Sequence, residues 1–458
     1  MRSIAALRSW LWPVSLLMLS ALAPAVLPAQ GVTPVASSTI TFADAIRLVL
    51  NQNVSVRQAQ NTVESGSATI RQRQSAFLPS FSLSTSTSEA YGYNFNQTEG
   101  KIVDQTTTAL SLGASSGVTL FDGGRNLAAL RESRLTNSAN GNDLTRARQT
   151  AVFTAASNFL TLVQREEQVR VQRDNLAAQQ AQDSVIQRLV KAGARPISDQ
   201  YQQQATVASA QYALVSAQRD LEVARITLIR TLQLDPQGHY AFVAPVVRDS
   251  VKVRAFNLDS LLDRALTSRE DLKALDTRLT ATAQTLKSAA SARLPQVSLS
   301  LGYNTAFNSA STLPFNTQLD QRRNGSLGVS LSLPVFDRNV ASVAVQQARI
   351  SADNARLALQ DRRQAVAADV RQAYLDHDAA VQQLAAAQAQ LAAAQLAATT
   401  QARRYDVGAG TLVEVTTARA QLVQAASAVV SAKYAVAFQQ SLMAYYVGDL
   451  VPEAVTLN

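Results

Sequence analysis

Apolar and polar positions alternate with two different periods along this chain, and the two patterns occupy separate segments. In four short stretches the period is two. Phe81, Leu83 and Thr85 alternate with Ser82, Ser84 and Ser86, and Leu110 and Leu112 alternate with Ser111 and Gly113 in a segment that runs on to Phe121. Further along, Val297, Leu299, Leu301 and Tyr303 alternate with Ser298, Ser300 and Gly302. Leu327, Val329, Leu331 and Leu333 do so with Gly328, Ser330 and Ser332. Each stretch predicts a strand with one apolar face and one face of small polar residues. Elsewhere the period is helical. Tyr201, Ala205, Ala208, Tyr212 and Val215 follow steps of four and three, and the row recurs 215 residues later as Thr416, Ala420, Val423, Ser427 and Val430, with Tyr434 next. Such a seam lets a helix lie along a neighbour, and its small residues permit close approach.

The breakers set the element lengths. Proline is absent from residues 80–195 and 335–451, and residues 338–407 also lack glycine. Read as one helix, that second stretch is roughly 105 Å long at about 1.5 Å per residue. Residues 126–192 read the same way, except that Gly141, in the polar patch 136–143, predicts a bend or defect. The landmarks repeat. Leu78-Pro79 matches Leu294-Pro295 at an offset of 216; Phe121-Asp122 matches Phe336-Asp337, and Gly193 matches Gly408, at 215. One register kept over more than a hundred residues predicts an internal duplication. The expected organisation is a first repeat at 41–235, a connection at 236–257, a second repeat at 258–450 and a tail at 451–458. Each repeat holds a hairpin of one very long and one shorter helix, turning at 191–197 or 406–412.

Residues 1–30 read as a secretory signal. Arg2 and Arg8 precede a largely apolar run at 11–22, and small residues follow near Ala25 and Ala29. A permanent anchor fits less well, because a spanning helix needs ~20 apolar residues and Pro13 interrupts this run. No later stretch is long and apolar enough to span as a helix, so entry into a membrane requires a closed β-barrel. An apolar face opposite a Ser/Gly face fits lipid outside and water inside. Single-chain barrels start at about eight strands, so four strands imply subunits that share one barrel. The alternative is a periplasmic coiled-coil structural protein without a channel, its strands forming the edge of a soluble sandwich.

Composition narrows the chemistry. The absence of cysteine excludes disulfides, thiolate metal sites and a lipid-modified cysteine. The formal charge of +9 is scattered among acids, which describes a solvated surface and not a nucleic-acid face. His239 and His377 are the only imidazoles; His377 falls on the heptad row Val370, Tyr374, Val381, Leu384 and reads as an interface residue. Gly123-Gly124 lacks the later glycine and lysine of a phosphate loop. No nucleophile, base and orienter group emerges, so no catalytic residue, cofactor or metal is expected.

Three local features then carry a resemblance. They are Leu-Pro before a strand, Val-Thr-Leu-Phe-Asp-Gly-Gly-Arg at 118–125, and Tyr-Asp-Val-Gly-Ala-Gly-Thr at 405–411. With the duplicated order of helix, strand, strand, helix, helix, the chain resembles the TolC-type outer-membrane factor family. The resemblance implies a mainly α fold with a small β part: a homotrimer whose twelve strands form one outer-membrane barrel, continued across the periplasm by an α-barrel. It implies passive export, driven by an inner-membrane pump through a periplasmic adaptor (membrane fusion) protein. Gly193 and Ala194, with Val407, Gly408, Ala409, Gly410 and Thr411, match adaptor-docking tips, although glycine also suits plain helix termination. Glu414 matches an acid ringing the closed entrance, and Asp199 and Tyr405 match a closing link between hairpins. Both acids also suit the first turn of a helix. Two departures stand out: the second acidic position is Thr417, and the family's arginine partner is replaced by Gly410.

Overall fold

The computed structural model describes residues 39–96, 100–243 and 255–450. The expected signal at 1–30, the tail at 451–458 and part of the 236–257 connection lie outside them.

Two helices dominate, α3 (Arg125–Lys191) and α8 (Val340–Asp406), each of 67 residues and so about 100 Å long. Both start with the same device. Asp122 accepts from the backbone N–H of Asn126 at 2.8 Å, and Asp337 accepts from that of Ala341 at 2.7 Å. The preceding residues, Gly124 and Asn339, take left-handed backbone, with φ of 83° and 66°. This explains the Phe-Asp motif and its turn residues. Gly123 has a packing reason as well: a Cβ there would lie 2.8 Å from the Leu294 side chain.

The order of elements recurs. A broken helix pair, α1 (Phe42–Gln52) and α2 (Val54–Ser75), precedes the first strands; α5 (Leu258–Ser268) and α6 (Glu270–Ala290) precede the later ones. The breaks share one backbone geometry, Asn53 at φ −60°, ψ 127° and Arg269 at φ −66°, ψ 126°. Each long helix is followed by a return helix, α4 (Ile197–Thr231) or α9 (Leu412–Val447).

Eight strands are described. β1 (Thr39–Thr41) pairs in parallel with β6 (Ala241–Val243), which gives the start of the 236–257 connection a role the sequence did not suggest. β2 (Ser80–Ala90), β5 (Thr107–Phe121), β7 (Gln296–Asn308) and β8 (Asn324–Ser332) form one antiparallel sheet in that order. The connections between these strands hold further elements: a ribbon of β3 (Tyr93–Asn96) and β4 (Lys101–Asp104), and a short helix α7 (Phe315–Gln321). Near the break of α1 and α2, Phe42, Val49 and Val56 pack on Val152, Phe159 and Leu228. A second core joins Leu261 and Leu272 to Val366, Val370 and Met443.

One expectation needs correction. Gly141 introduces no defect, because α3 continues through it. The polar patch around it is a contact surface instead. Asn137 donates to Ser67 of α2 at 3.2 Å, and Arg278 of α6 pairs with Asp143. A Cβ at Gly141 meets nothing within 4 Å, so Gly141→Ala is expected to stabilise the protein by about 0.5–1 kcal/mol, read as a rise in melting temperature. The two heptad seams also differ. Thr416, Val423 and Tyr434 of the second are at least partly covered, whereas Tyr201, Tyr212 and Val215 of the first stand exposed on α4.

Candidate functional site: hairpin tips and a two-faced sheet

The tips are built by identical helix endings. After α3, Gly193 has φ 74°, and the Ala194 N–H reaches back to the Leu189 carbonyl at 2.8 Å. After α8, Gly408 has φ 77°, and the Ala409 N–H reaches the Arg404 carbonyl at 2.8 Å. These six-to-one bonds satisfy carbonyls that the helix end would orphan, and positive φ selects glycine. The return helices start differently. Pro196 precedes α4, while Thr411 and Glu414 form a capping box on α9. The Thr411 N–H donates to Glu414 Oε2 at 3.0 Å, and the Glu414 N–H donates to Thr411 Oγ1 at 3.3 Å. Glu414 therefore has a structural task whatever else it does.

One side chain ties the two tips together. Tyr405, near the end of α8, is only 2% exposed and packs with Ile186, Leu412 and Val415. Its hydroxyl donates to Asp199 Oδ2 at 3.2 Å. Burial pushes the phenol pKa up, and the neighbouring Asp199 carboxylate works in the same direction. The structure thus brings Asp199 and Tyr405 into contact within one chain. It adds a residue the sequence reading missed. The Arg195 guanidinium lies 4.0 Å from the Tyr405 ring centroid and donates to the Tyr405 carbonyl at 2.5 Å. There it meets both the ring face and the negative end of α8. A signal was available: a cation just before a helix start is unfavourable for that helix and asks for another partner. Gly410 lies beside Glu414 and Arg404. Ala194 and Ala409 donate the closing bonds of the turns, and Val407 is 79% exposed at the second tip.

His377 is buried on α8 with its ring edge-on to Phe256 at 4.9 Å, and burial lowers its pKa. Among the described residues no group of three His, Cys, Asp or Glu is placed to hold a metal.

At the other end, the two faces of the sheet differ, although Thr85, Thr87, Glu89 and Ser116 share the face that carries the apolar residues. One face carries Phe81, Leu83, Leu110, Leu112, Leu299, Leu301, Leu327 and Val329; the register places these on matching parities of the four strands. Most are exposed in the single chain. The opposite face is made of Ser, Thr, Gly, Ala, Asn and Gln and, among the described residues, bears no charge. Hydroxyls pair across it, Ser82 with Ser115 and Ser298 with Ser330, both at 2.8 Å. On β5 the apolar positions are spread over ten residue steps, from Leu110 to Leu120. At a tilt of about 40° that is a height of about 25 Å, the thickness of a barrel's lipid-facing band. Among the described residues no helix is long and apolar enough to cross a membrane.

A family model described as outer membrane efflux protein matches residues 45–232 and 261–446. Among solved structures, the chain is similar to the CusC channel at 18% identity, with 89% of this chain and 92% of that one covered and a TM-score of 0.77. It is similar to the Campylobacter jejuni CmeC outer membrane channel at 19% identity, covering 94% and 92%, with a TM-score of 0.77. The Vibrio cholerae outer membrane protein VceC matches at 17% identity, covering 89% and 96%, with a TM-score of 0.74. No curated protein sequence matches it.

Proposed function

The chain belongs to the outer membrane efflux protein family, and from that premise we propose that it is the exit duct of a tripartite efflux or type I secretion system. It works as a homotrimer in the outer membrane, with a large periplasmic part. The observation that carries this reading is the sheet. Its apolar face suits lipid, its uncharged hydroxyl face suits water, and its edges β2 and β8 pair with no further strand among the described residues. Three copies supply twelve strands and pair every edge, whereas an open edge in lipid leaves backbone groups unsatisfied. The long helices continue the tube for about 100 Å into the periplasm. The exposed row Tyr201, Tyr212 and Val215 is where the next subunit's helices lie. Residues 41–235 and 258–450 act as tandem repeats, which give the α-barrel its paired hairpins.

Export through such a tube is passive. Energy comes from an inner-membrane pump, coupled through a periplasmic adaptor that docks on Gly193, Ala194 and the turn from Val407 to Thr411. Exposed Ile197, Val407 and Val413 give those tips an apolar surface. Asp199, Tyr405 and Glu414 form the entrance gate. Arg195 supplies a cation where Gly410 leaves the family's arginine missing. Three copies of Glu414 near one axis repel each other and attract cations.

Single-channel recording of detergent-extracted protein in a planar bilayer tests this reading. Long-lived unitary steps with cation preference are expected; protein that stays in solution without detergent and gives no steps would overturn it. Glu414→Gln then isolates the gate charge, because glutamine keeps the capping box. Reduced block by multivalent cations is the expected result, with tip stability unchanged. If block is unaltered, Glu414 serves only as a cap.

A further inference from the structure

The outer end of the sheet carries two largely apolar surfaces that stand exposed among the described residues. β3 and β4 continue the β2–β5 ladder in the same register: Ala90 stands opposite Thr107, and Tyr93 opposite Asp104. Only the irregular step at Gly92, with φ 101°, interrupts it. The pairing of β5 with β7 ends at Ala109 and Asn308. The ribbon therefore stands beyond the sheet by roughly 20 Å, at about 3.3 Å per residue. Among the described elements, β3 and β4 have each other as their main packing partner. Odd positions of β2 face outward, and the register kept across the Gly92 step puts Tyr91, Tyr93 and Phe95 on the same parity, with Ile102 opposite Phe95. They are 74%, 82%, 63% and 68% exposed. An isolated two-stranded ribbon is marginal in water and needs a surface to pack on.

The second surface is α7. It lies on the outward face of β7: Phe315 packs on Phe307 at 5.1 Å between ring centroids, and Thr305 donates to the Leu319 carbonyl at 2.6 Å. Leu313, just before it, remains 41% exposed. The crossover holding α7 leads directly into β8, which is the edge opposite β2. In a ring of identical sheets, β8 of one copy can pair only with β2 of the next. That places each α7 crossover beside the next copy's ribbon, at the same end and on the same outward side.

We infer that the ribbon of one copy packs its Tyr91, Tyr93, Phe95 and Ile102 face on Leu313 and Phe315 of the next copy, forming a collar outside the barrel mouth. The inference rests on the shared-barrel reading. The α7 surface is apolar, the ribbon face is apolar apart from Asp104 opposite Tyr93, both are open in the single chain, and closing the edge juxtaposes them. The collar buries aromatic surface between subunits where the lipid-facing band has ended, so it holds the trimer together by a route independent of the membrane.

The absence of cysteine gives a clean test in the full-length protein. Tyr93→Cys with Leu313→Cys is treated with a short bis-maleimide linker in native membranes. Phe81→Cys, combined in turn with Leu327→Cys, Val329→Cys or Leu331→Cys, reports the β2–β8 edge. The expected result is covalent dimers and trimers from the ribbon pair and from at least one edge pair, and none from the single variants. Edge pairs that link while the ribbon pair stays monomeric overturn the collar and leave the barrel standing, the ribbon then facing lipid or the lumen. Failure of every pair overturns the shared barrel and the collar with it. Tyr93→Ser with Phe95→Ser gives a second reading: trimers are expected to dissociate in detergent at a lower temperature, and an unchanged temperature overturns the collar.

Discussion

Asp271→Ala is expected to destabilise the folded protein by about 3–5 kcal/mol, the cost of stranding a buried charge. Asp271 sits where α5 breaks into α6, under the end of α9. Its carboxylate receives Arg269 twice, at 3.0 and 2.7 Å, and Arg362 twice, at 3.1 and 2.9 Å. The Arg269 side chain is wholly buried. Its remaining nitrogen, Nη1, has no hydrogen-bond partner and lies 3.9 Å from Asp369. Removing Asp271 leaves that guanidinium with one distant carboxylate. Gly448, at φ 86°, closes α9 against the Arg269 backbone, so the knot also anchors the last helix. Thermal unfolding of the variant at neutral pH checks the size of the loss. Replacing the pair together, by Arg269→Met with Asp271→Leu, is expected to recover part of it.

The knot also fixes a pH dependence. Burial alone would raise the Asp271 pKa, but the Arg269 and Arg362 guanidiniums outweigh it and hold the carboxyl well below its ordinary value of 3.8. A carboxylate depressed in the folded state contributes stability above its unfolded pKa and loses it as pH falls through the folded one. The contribution is therefore complete at neutral pH and begins to fade only below about pH 4. The deficit of Asp271→Ala against the native protein is expected to be constant from pH 8 to pH 5 and to shrink in stronger acid. A deficit that changes between pH 8 and pH 5 would place the responsible titration on another group.

What could be read from the sequence follows from the range of the forces involved. The long helices were legible because a missing proline or glycine is a local fact. The tip turns were legible because positive φ selects glycine at Gly193 and Gly408. The strands were legible where one face is apolar and the other hydroxylated. The knot was not: Arg269, Asp271 and Arg362 look like ordinary surface charges until packing brings them together. The Arg195 contact with Tyr405 likewise joins residues 210 apart in the chain. Gly141 misled because helix propensity is a weak preference, and interhelical bonds from Asn137 and Asp143 outweigh it. The ribbon escaped notice because Tyr93–Asn96 and Lys101–Asp104 are four residues each, too short for a period to show.

Glutamate at both Gly193 and Gly408 is expected to abolish export while the trimer still assembles. Each glycine has positive φ, so any side chain there carries a strain of about 1–2 kcal/mol. A Cβ at either site meets nothing within 4 Å, so the new side chain projects into open space and not into the fold. The helices behind the tips are held elsewhere, by Tyr405 with Ile186 and by the cores around the middle of the long helices. The predicted damage therefore falls on whatever the tips touch. A charge beside exposed Val407 leaves an apolar contact with a buried, unpaired carboxylate, which costs more than the strain. Gly193→Asn with Gly408→Asn is the control, because asparagine tolerates left-handed backbone and adds no charge. Cells relying on the glutamate variant should retain a fluorescent efflux dye as fully as cells lacking the duct, and cells with the asparagine variant should clear it. Single-channel conductance should be the same for both. If the glutamate variant exports normally, the adaptor does not dock at these tips; if trimers are lost, the glycines serve folding and the tips must be probed at Val407 instead.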